Sequence, residues 1–176
     1  MAVTMDQVKE LRERTGAGIL ECKKVLEQSG GDINQALTLL KERGLAVAQK
    51  KATREAKEGR IEVYIHPGNR VVGLVELDCE TDFVARNDEF IQLAKDIAMQ
   101  VVGVNPQYIR KEDVPEGVLR GPEVSTPEKF YEENVLLEQP FIKQPNTTIG
   151  QRIQDTIAKT GENIIVRRIA RFEVGA

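Results

Sequence analysis

The chain is predicted to be an α+β protein: a small N-terminal three-helix bundle, a helical linker, and a body in which a small antiparallel sheet packs with helices. Three observations carry this. Short apolar stripes at three- and four-residue spacing, separated by glycine turns, fill residues 1–45. Residues 61–77 hold two β-branched runs around a His-Pro-Gly-Asn-Arg turn. Phe90, Ile91, Leu93, Ala94, Ile97, Ala98 and Val101 then recur at helical spacing, and strands followed by segregated helices indicate an antiparallel sheet. The division is into residues 1–45 (bundle), 46–60 (linker) and 61–176 (body).

Thr4-Met5-Asp6-Gln7 fits a capping box that starts a first helix, with Val8 and Leu11 as its narrow apolar stripe. Thr15-Gly16-Ala17-Gly18 breaks it, and Ile19, Cys22, Val25 and Leu26 define the face of a second helix. Asp32 caps a third, carrying Ile33, Ala36, Leu37 and Leu40 and closed by Gly44. Residues 46–60 are rich in alanine and lysine with little apolar pattern, as expected of a solvated helical connector.

Residues 61–65 alternate apolar and polar and pair through the turn with residues 71–77 as a hairpin. The long helix of Phe90 ends near residues 101–104, ahead of Asn105-Pro106. Pro106, Pro115, Pro122 and Pro127 make residues 105–127 a loop with at most one short helical turn at 114–119. A helix follows over 127–138, stopped by Pro140. Thr148 caps another, bearing Ile149, Ile153 and Ile157 and ended by Gly161. A strand over 164–174 completes the hairpin's sheet.

Composition narrows the function. The 176 residues carry 25 basic and 28 acidic side chains, a net charge of −3, which argues against a binder that works by neutralising phosphates. The first 58 residues are mildly basic, with 11 basic against 9 acidic side chains, and the remainder is acidic. No run approaches the roughly eighteen apolar residues of a membrane span, and the N-terminus has no apolar signal core, so the cytoplasm is the expected location. Cys22 and Cys79 fit no metal or redox spacing and read as free thiols. Gly16-Ala17-Gly18 lacks the third glycine and the preceding strand of a dinucleotide fingerprint. Asn146-Thr147-Thr148 matches a glycosylation sequon but means nothing without secretion.

The least ordinary chemistry lies in Asp78-Cys79-Glu80-Thr81-Asp82-Phe83-Val84-Ala85-Arg86-Asn87, where the second strand gives way to a helix. Three acids fall within five positions, and Phe83 stands beside a carboxylate at a tip. Two readings are open. The ring folds into its own core while the acids cap the helix, or it enters another protein's cleft, where its burial is worth about 1.5–3 kcal/mol.

The run from Cys79 to Asn87 resembles the signature of the translation elongation factor Ts family. A second match, Val8-Lys9-Glu10-Leu11-Arg12 with Thr15-Gly16-Ala17-Gly18 and Cys22-Lys23-Lys24, runs on to Gly31-Asp32 and Ala36, and a third covers Glu162-Asn163-Ile164, Arg167-Arg168 and Phe172-Glu173. The family's N-terminal bundle is of the ubiquitin-associated type in fold, without implied ubiquitin binding.

The resemblance implies a nucleotide exchange factor for elongation factor Tu, binding its GDP-bound and nucleotide-free forms and releasing GDP and magnesium so that GTP can rebind. No covalent chemistry, cofactor, metal, membrane or direct nucleic-acid contact is expected. Thr81, Asp82, Phe83 and Val84 are implied to meet the partner's nucleotide domain near its magnesium site. Val8, Leu11, Arg12, Thr15, Gly16 and Lys23 are implied to add secondary contacts. Long members of the family carry a second core half, a coiled coil and a C-terminal module, for which there is no sequence here. Short members use a homodimer in a two-by-two complex, and the same is expected of this chain.

Two rival readings deserve a test. A metal-dependent hydrolase would use Asp78, Glu80, Asp82 and His66, but alternate strand residues face opposite ways and no second cluster completes a shell. A ubiquitin-type adaptor would use the bundle alone and leave the acidic body without a role.

Overall fold

The first helix, α1 (Met5–Thr15), begins with the expected capping box: the Thr4 hydroxyl accepts the Gln7 N–H, and the Gln7 side chain accepts the Thr4 N–H at 2.9 Å. The computed structural model describes residues 3–121 and 124–176, so the proline expected in the loop at position 122 lies outside the described residues. Gly16 closes α1 at φ 68°, a conformation that only glycine adopts cheaply. Helices α2 (Ile19–Gln28) and α3 (Ile33–Lys51) follow, the latter capped by Asp32. Val8, Leu11, Cys22, Val25, Leu26 and Ala36 form the bundle's own core.

Helix α3 corrects one expectation. It does not stop at Gly44 but continues to Lys51. Gly44 is buried against α8 (Ile149–Thr160), where a Cβ would lie 3.5 Å from that of Ala158, so packing outweighs the propensity cost of about 1 kcal/mol. Most of residues 46–60 are solvent-exposed, with a few side chains packed on the body. Ala48 joins the body's core, Ala56 is buried, and strand β1 starts at Glu58.

The sheet has the order β1-β2-β5, all antiparallel, from β1 (Glu58–Ile65), β2 (Val71–Cys79) and β5 (Ile165–Glu173). Between β2 and the long helix α5 (Asp88–Val104) lies a single helical turn, α4 (Asp82–Ala85). Gly73 lets α5 approach the sheet: a Cβ there would sit 2.6 Å from the Ala98 carbonyl oxygen. Phe90, Leu93, Ile97 and Val101 of α5 pack with Val75 and Leu77 of β2 and Ile149, Ile153 and Ile157 of α8. Asp96, almost wholly buried on α5, is matched by Lys143 at 2.9 Å and Arg152 at 2.7 Å.

The connection between α5 and α8 departs from expectation. The loop carries the short turn α6 (Glu116–Leu119), but helix α7 (Pro127–Asn134) ends four residues earlier than expected. The Asn134 carbonyl accepts the N–H groups of Gln107 and Tyr108, and the Leu136 N–H donates to Tyr108, so the chain after Asn134 pairs with the loop instead of continuing the helix. A hairpin of β3 (Pro140–Phe141) and β4 (Gln144–Thr148) follows, unforeseen because Pro140 reads as a stop. Thr148 and Gly161 then cap α8 as expected.

Alternation in β1 is real, and its apolar side faces away from α5. Ile61, Val63 and Ile65 point away from α5 and are 62%, 46% and 57% exposed, beside Val72, Leu74, Ala170 and a 65% exposed Phe172. One face of the sheet is thus largely apolar and uncovered. None of the helices described is long and apolar enough to cross a membrane.

Candidate functional site

β2 delivers the chain into its most solvent-facing aromatic. Thr81 is the N-cap of α4, its hydroxyl accepting the Val84 N–H, and Asn87 caps α5 in turn through the Glu89 N–H at 2.8 Å. Two caps six residues apart leave room for one helical turn only. Within that turn Ala85 is buried and Val84 packs on the body's core, so the geometry of the helix sends Phe83 the other way. Its ring is 84% exposed, whereas Phe90 and Phe141 are 0% and 2% exposed. Of the two readings of the corner, burial of the ring in its own core is the one the structure overturns.

The three acids diverge. Asp78 pairs with Arg167 at 2.7 Å, Glu80 lies 3.5 Å from Arg54, and Asp82 pairs with Arg86 at 3.0 Å one turn along. Asp78 also raises the pKa of the Arg167 guanidinium above its ordinary value, first through the hydrogen bond and then through its charge. His66, in the rival hydrolase reading, stands at the far end of the hairpin, since Glu58 pairs with Cys79 at one end and Ile65 with Val72 at the other. The acids and the histidine are not brought together.

Cys79 sits beneath the corner. Its thiol donates to the Thr81 carbonyl at 3.1 Å, and burial first, with the nearby Glu162 charge second, pushes its pKa up to about 11. It is held as a protonated thiol. Burial also raises Cys22, which lies in the bundle's core.

The bundle residues divide. Arg12, Gly16 and Lys23 are exposed, and Thr15 is half-buried, its hydroxyl donating to the Leu11 carbonyl at 2.7 Å. Val8 and Leu11 correct an expectation: they are 3% and 0% exposed and hold the bundle together, so neither offers a side chain to a partner. The sequence reading missed Leu20, which is 83% exposed beside Lys24 and Arg43, and placed Ile19 on the inner face although it is 49% exposed. A signal was available: Leu20 is an apolar residue off the three- and four-residue stripe of Cys22, Val25 and Leu26.

With this geometry in hand, known proteins supply the identity. Residues 20–124 match the family described as Elongation factor TS. The elongation factor Ts of Herpetosiphon aurantiacus is 51% identical over 197 aligned positions, covering all of both chains. That of Thermodesulfovibrio yellowstonii is 54% identical, covering 99% of this chain and 98% of the relative. That of Heliobacterium modesticaldum is 49% identical over 98% and 90%. An α+β body with a one-turn corner, and identity near one half along the whole chain, lead to one conclusion: the chain belongs to the elongation factor Ts family and so to translation elongation.

Proposed function

We propose that the protein is a guanine nucleotide exchange factor for elongation factor Tu, binding its GDP-bound form, promoting release of GDP and magnesium, and leaving a site that GTP refills. The single observation that carries this is the Phe83 ring, 84% exposed on a short turn with Asp82 beside it. A free chain gains nothing from holding a phenylalanine in water, and burying that ring in a partner returns about 1.5–3 kcal/mol. Asp82 travels with it and competes for cationic groups near the partner's magnesium. Exchange requires no covalent step. If the factor binds empty Tu more tightly than GDP-bound Tu, reciprocity obliges it to weaken GDP by the same ratio.

The contact set is Thr81, Asp82, Phe83 and Val84 at the corner, with Arg12, Thr15, Gly16 and Lys23 from the bundle as secondary contacts. Leu20 extends that second surface. The bundle (1–45), the segment 46–60 and the body (61–176) divide the work between docking and insertion. The uncovered sheet face of Ile61, Val63, Ile65 and Phe172 supports a homodimer, because a contiguous apolar patch on a soluble chain marks an interaction surface. Two copies would then hold two partners in the cytoplasm, with no membrane or nucleic acid in contact.

Release of fluorescent GDP from purified Tu tests the reading. Wild type is expected to accelerate release, with Asp82→Ala and Phe83→Ala each reducing the acceleration by about tenfold or more. Wild type without effect refutes the function, and variants as active as wild type refute the site.

A further inference from the structure

A one-turn helix does not hold itself, because nucleating helix costs more than a single turn returns. Beside the packing of Val84 and Ala85, the direction of Asp82 and Phe83 therefore depends on what fixes the backbone just ahead of α4, and that is Glu162, in the bend between α8 and β5. Its Oε2 accepts the N–H of Glu80 at 3.1 Å and of Thr81 at 3.0 Å, and its Oε1 accepts the Thr81 hydroxyl at 2.6 Å. One carboxylate thus collects three donors from two consecutive residues 81–82 positions away.

The attachment is reciprocal. The Glu80 carboxylate accepts the Asn163 N–H at 2.7 Å. Asn163, 3% exposed, donates through Nδ2 to the Arg54 carbonyl at 2.8 Å, and Lys51, the last residue of α3, reaches the Gly161 carbonyl. The 161–163 bend is accordingly tied on one side to the corner and on the other to the end of α3, whose first half lies in the bundle's core.

We infer that Glu162 is a positioning residue for exchange: it fixes the backbone that aims Asp82 and Phe83, and the 161–163 bend holds that aim relative to the bundle's longest helix. This rests on the functional reading above. Glu162 makes no contact with the partner in this account. It acts through Thr81 and Glu80, and losing a charged acceptor shared by several donors is worth about ten- to hundredfold in the local opening equilibrium.

The test uses the full chain with Glu162→Ala and Glu162→Gln. In the free protein, amide exchange at Glu80 and Thr81 is expected to speed up by about ten- to hundredfold in the alanine variant, while Val75 and Leu77 in β2 keep their protection. In the GDP-release assay the alanine variant is expected to lower the maximal rate at saturating factor by about tenfold, with a smaller change in the half-saturating concentration. The glutamine variant retains a carbonyl that accepts the two N–H groups and should recover most of both. On an Asp82→Ala/Phe83→Ala background, Glu162→Ala should cost nothing further, since no group remains to be aimed.

Full exchange activity in Glu162→Ala overturns the inference, as does a loss that adds to the corner variants or a loss of protection that spreads through β2. Wild type that fails to release GDP overturns the functional reading and this inference together. Wild type and Glu162→Ala equally active overturns the positioning role alone.

Discussion

Phe83→Ala and Phe90→Ala are the same chemical change seven positions apart, and the structure assigns them opposite consequences. In the free chain only about a sixth of Phe83 is withdrawn from water, since it is 84% exposed, so truncation costs the fold about 0.2–0.5 kcal/mol. Phe90 is 0% exposed among Leu93, Ile97 and Leu77, and its truncation leaves a cavity costing about 3–5 kcal/mol. The complex reverses the order of interest. The five-sixths of Phe83 still in water corresponds to about 1.3–2.5 kcal/mol, or about 10- to 70-fold in affinity for empty Tu. Urea unfolding and titration of nucleotide-free Tu measure the two quantities independently. A Phe83→Ala variant that loses more than about 1 kcal/mol of stability, or that binds as tightly as wild type, refutes the assignment of this ring to the partner.

Further outcomes follow from other contacts. Val63→Lys places a charge in the middle row of the uncovered sheet face, opposite Leu74, and should shift a dimer to monomer by light scattering while changing unfolding by less than about 1 kcal/mol; an unchanged mass refutes dimerisation through this face. Gly73→Ala would put a Cβ 2.6 Å from the Ala98 carbonyl oxygen and 2.8 Å from Val102 Cγ2, and should cost about 1–3 kcal/mol, read as a fall in Tm of about 2–12 °C. The Cys79 thiol, raised from 9.0 to about 11, stays protonated in the fold after the unfolded chain has lost its proton. Its contribution to stability is whole below pH 9 and declines between pH 9 and about 11, so Cys79→Ser should show a shallower alkaline loss in urea midpoints, and parallel curves would refute the link.

Caps and strand-to-helix switches were readable because their chemistry is local. Thr4 with Gln7, Asp32, and Thr148 with Gly161 each act within four residues or at the end of their own helix, and each stands where expected. Several failures are cases in which a distant residue decides. Gly44 reads as a helix end, yet Ala158 lies against it and the helix continues. Asn134 ends α7 because Gln107 and Tyr108 claim its carbonyl. The 61/63/65 alternation shows that β1 has an apolar face but not which way the face points, and β2, apolar on both sides, does not decide it from the sequence. At the site the same rule holds. Asp82 and Phe83 are visible as a tip between two elements, the apolar stripe of Val8 and Leu11 marks them as core against the partner contact the resemblance implies, and Glu162 becomes a candidate only once its carboxylate is placed on the Glu80 and Thr81 amides.

Under the proposed exchange function, that distant clamp answers a thermodynamic requirement. A ligand shifts an equilibrium only by the difference between its affinities for the two states. A floppy corner would fold itself against GDP-bound and empty Tu alike, gaining burial of Phe83 in both and discriminating between neither. A corner whose backbone is held by three hydrogen bonds to Glu162, and whose anchor is held in turn by Lys51 and Asn163, has one shape to present. It gains its full contact only where the partner has already yielded the space. On the proposed exchange function, rigidity at Thr81, more than the size of the ring at Phe83, is what would convert binding into release.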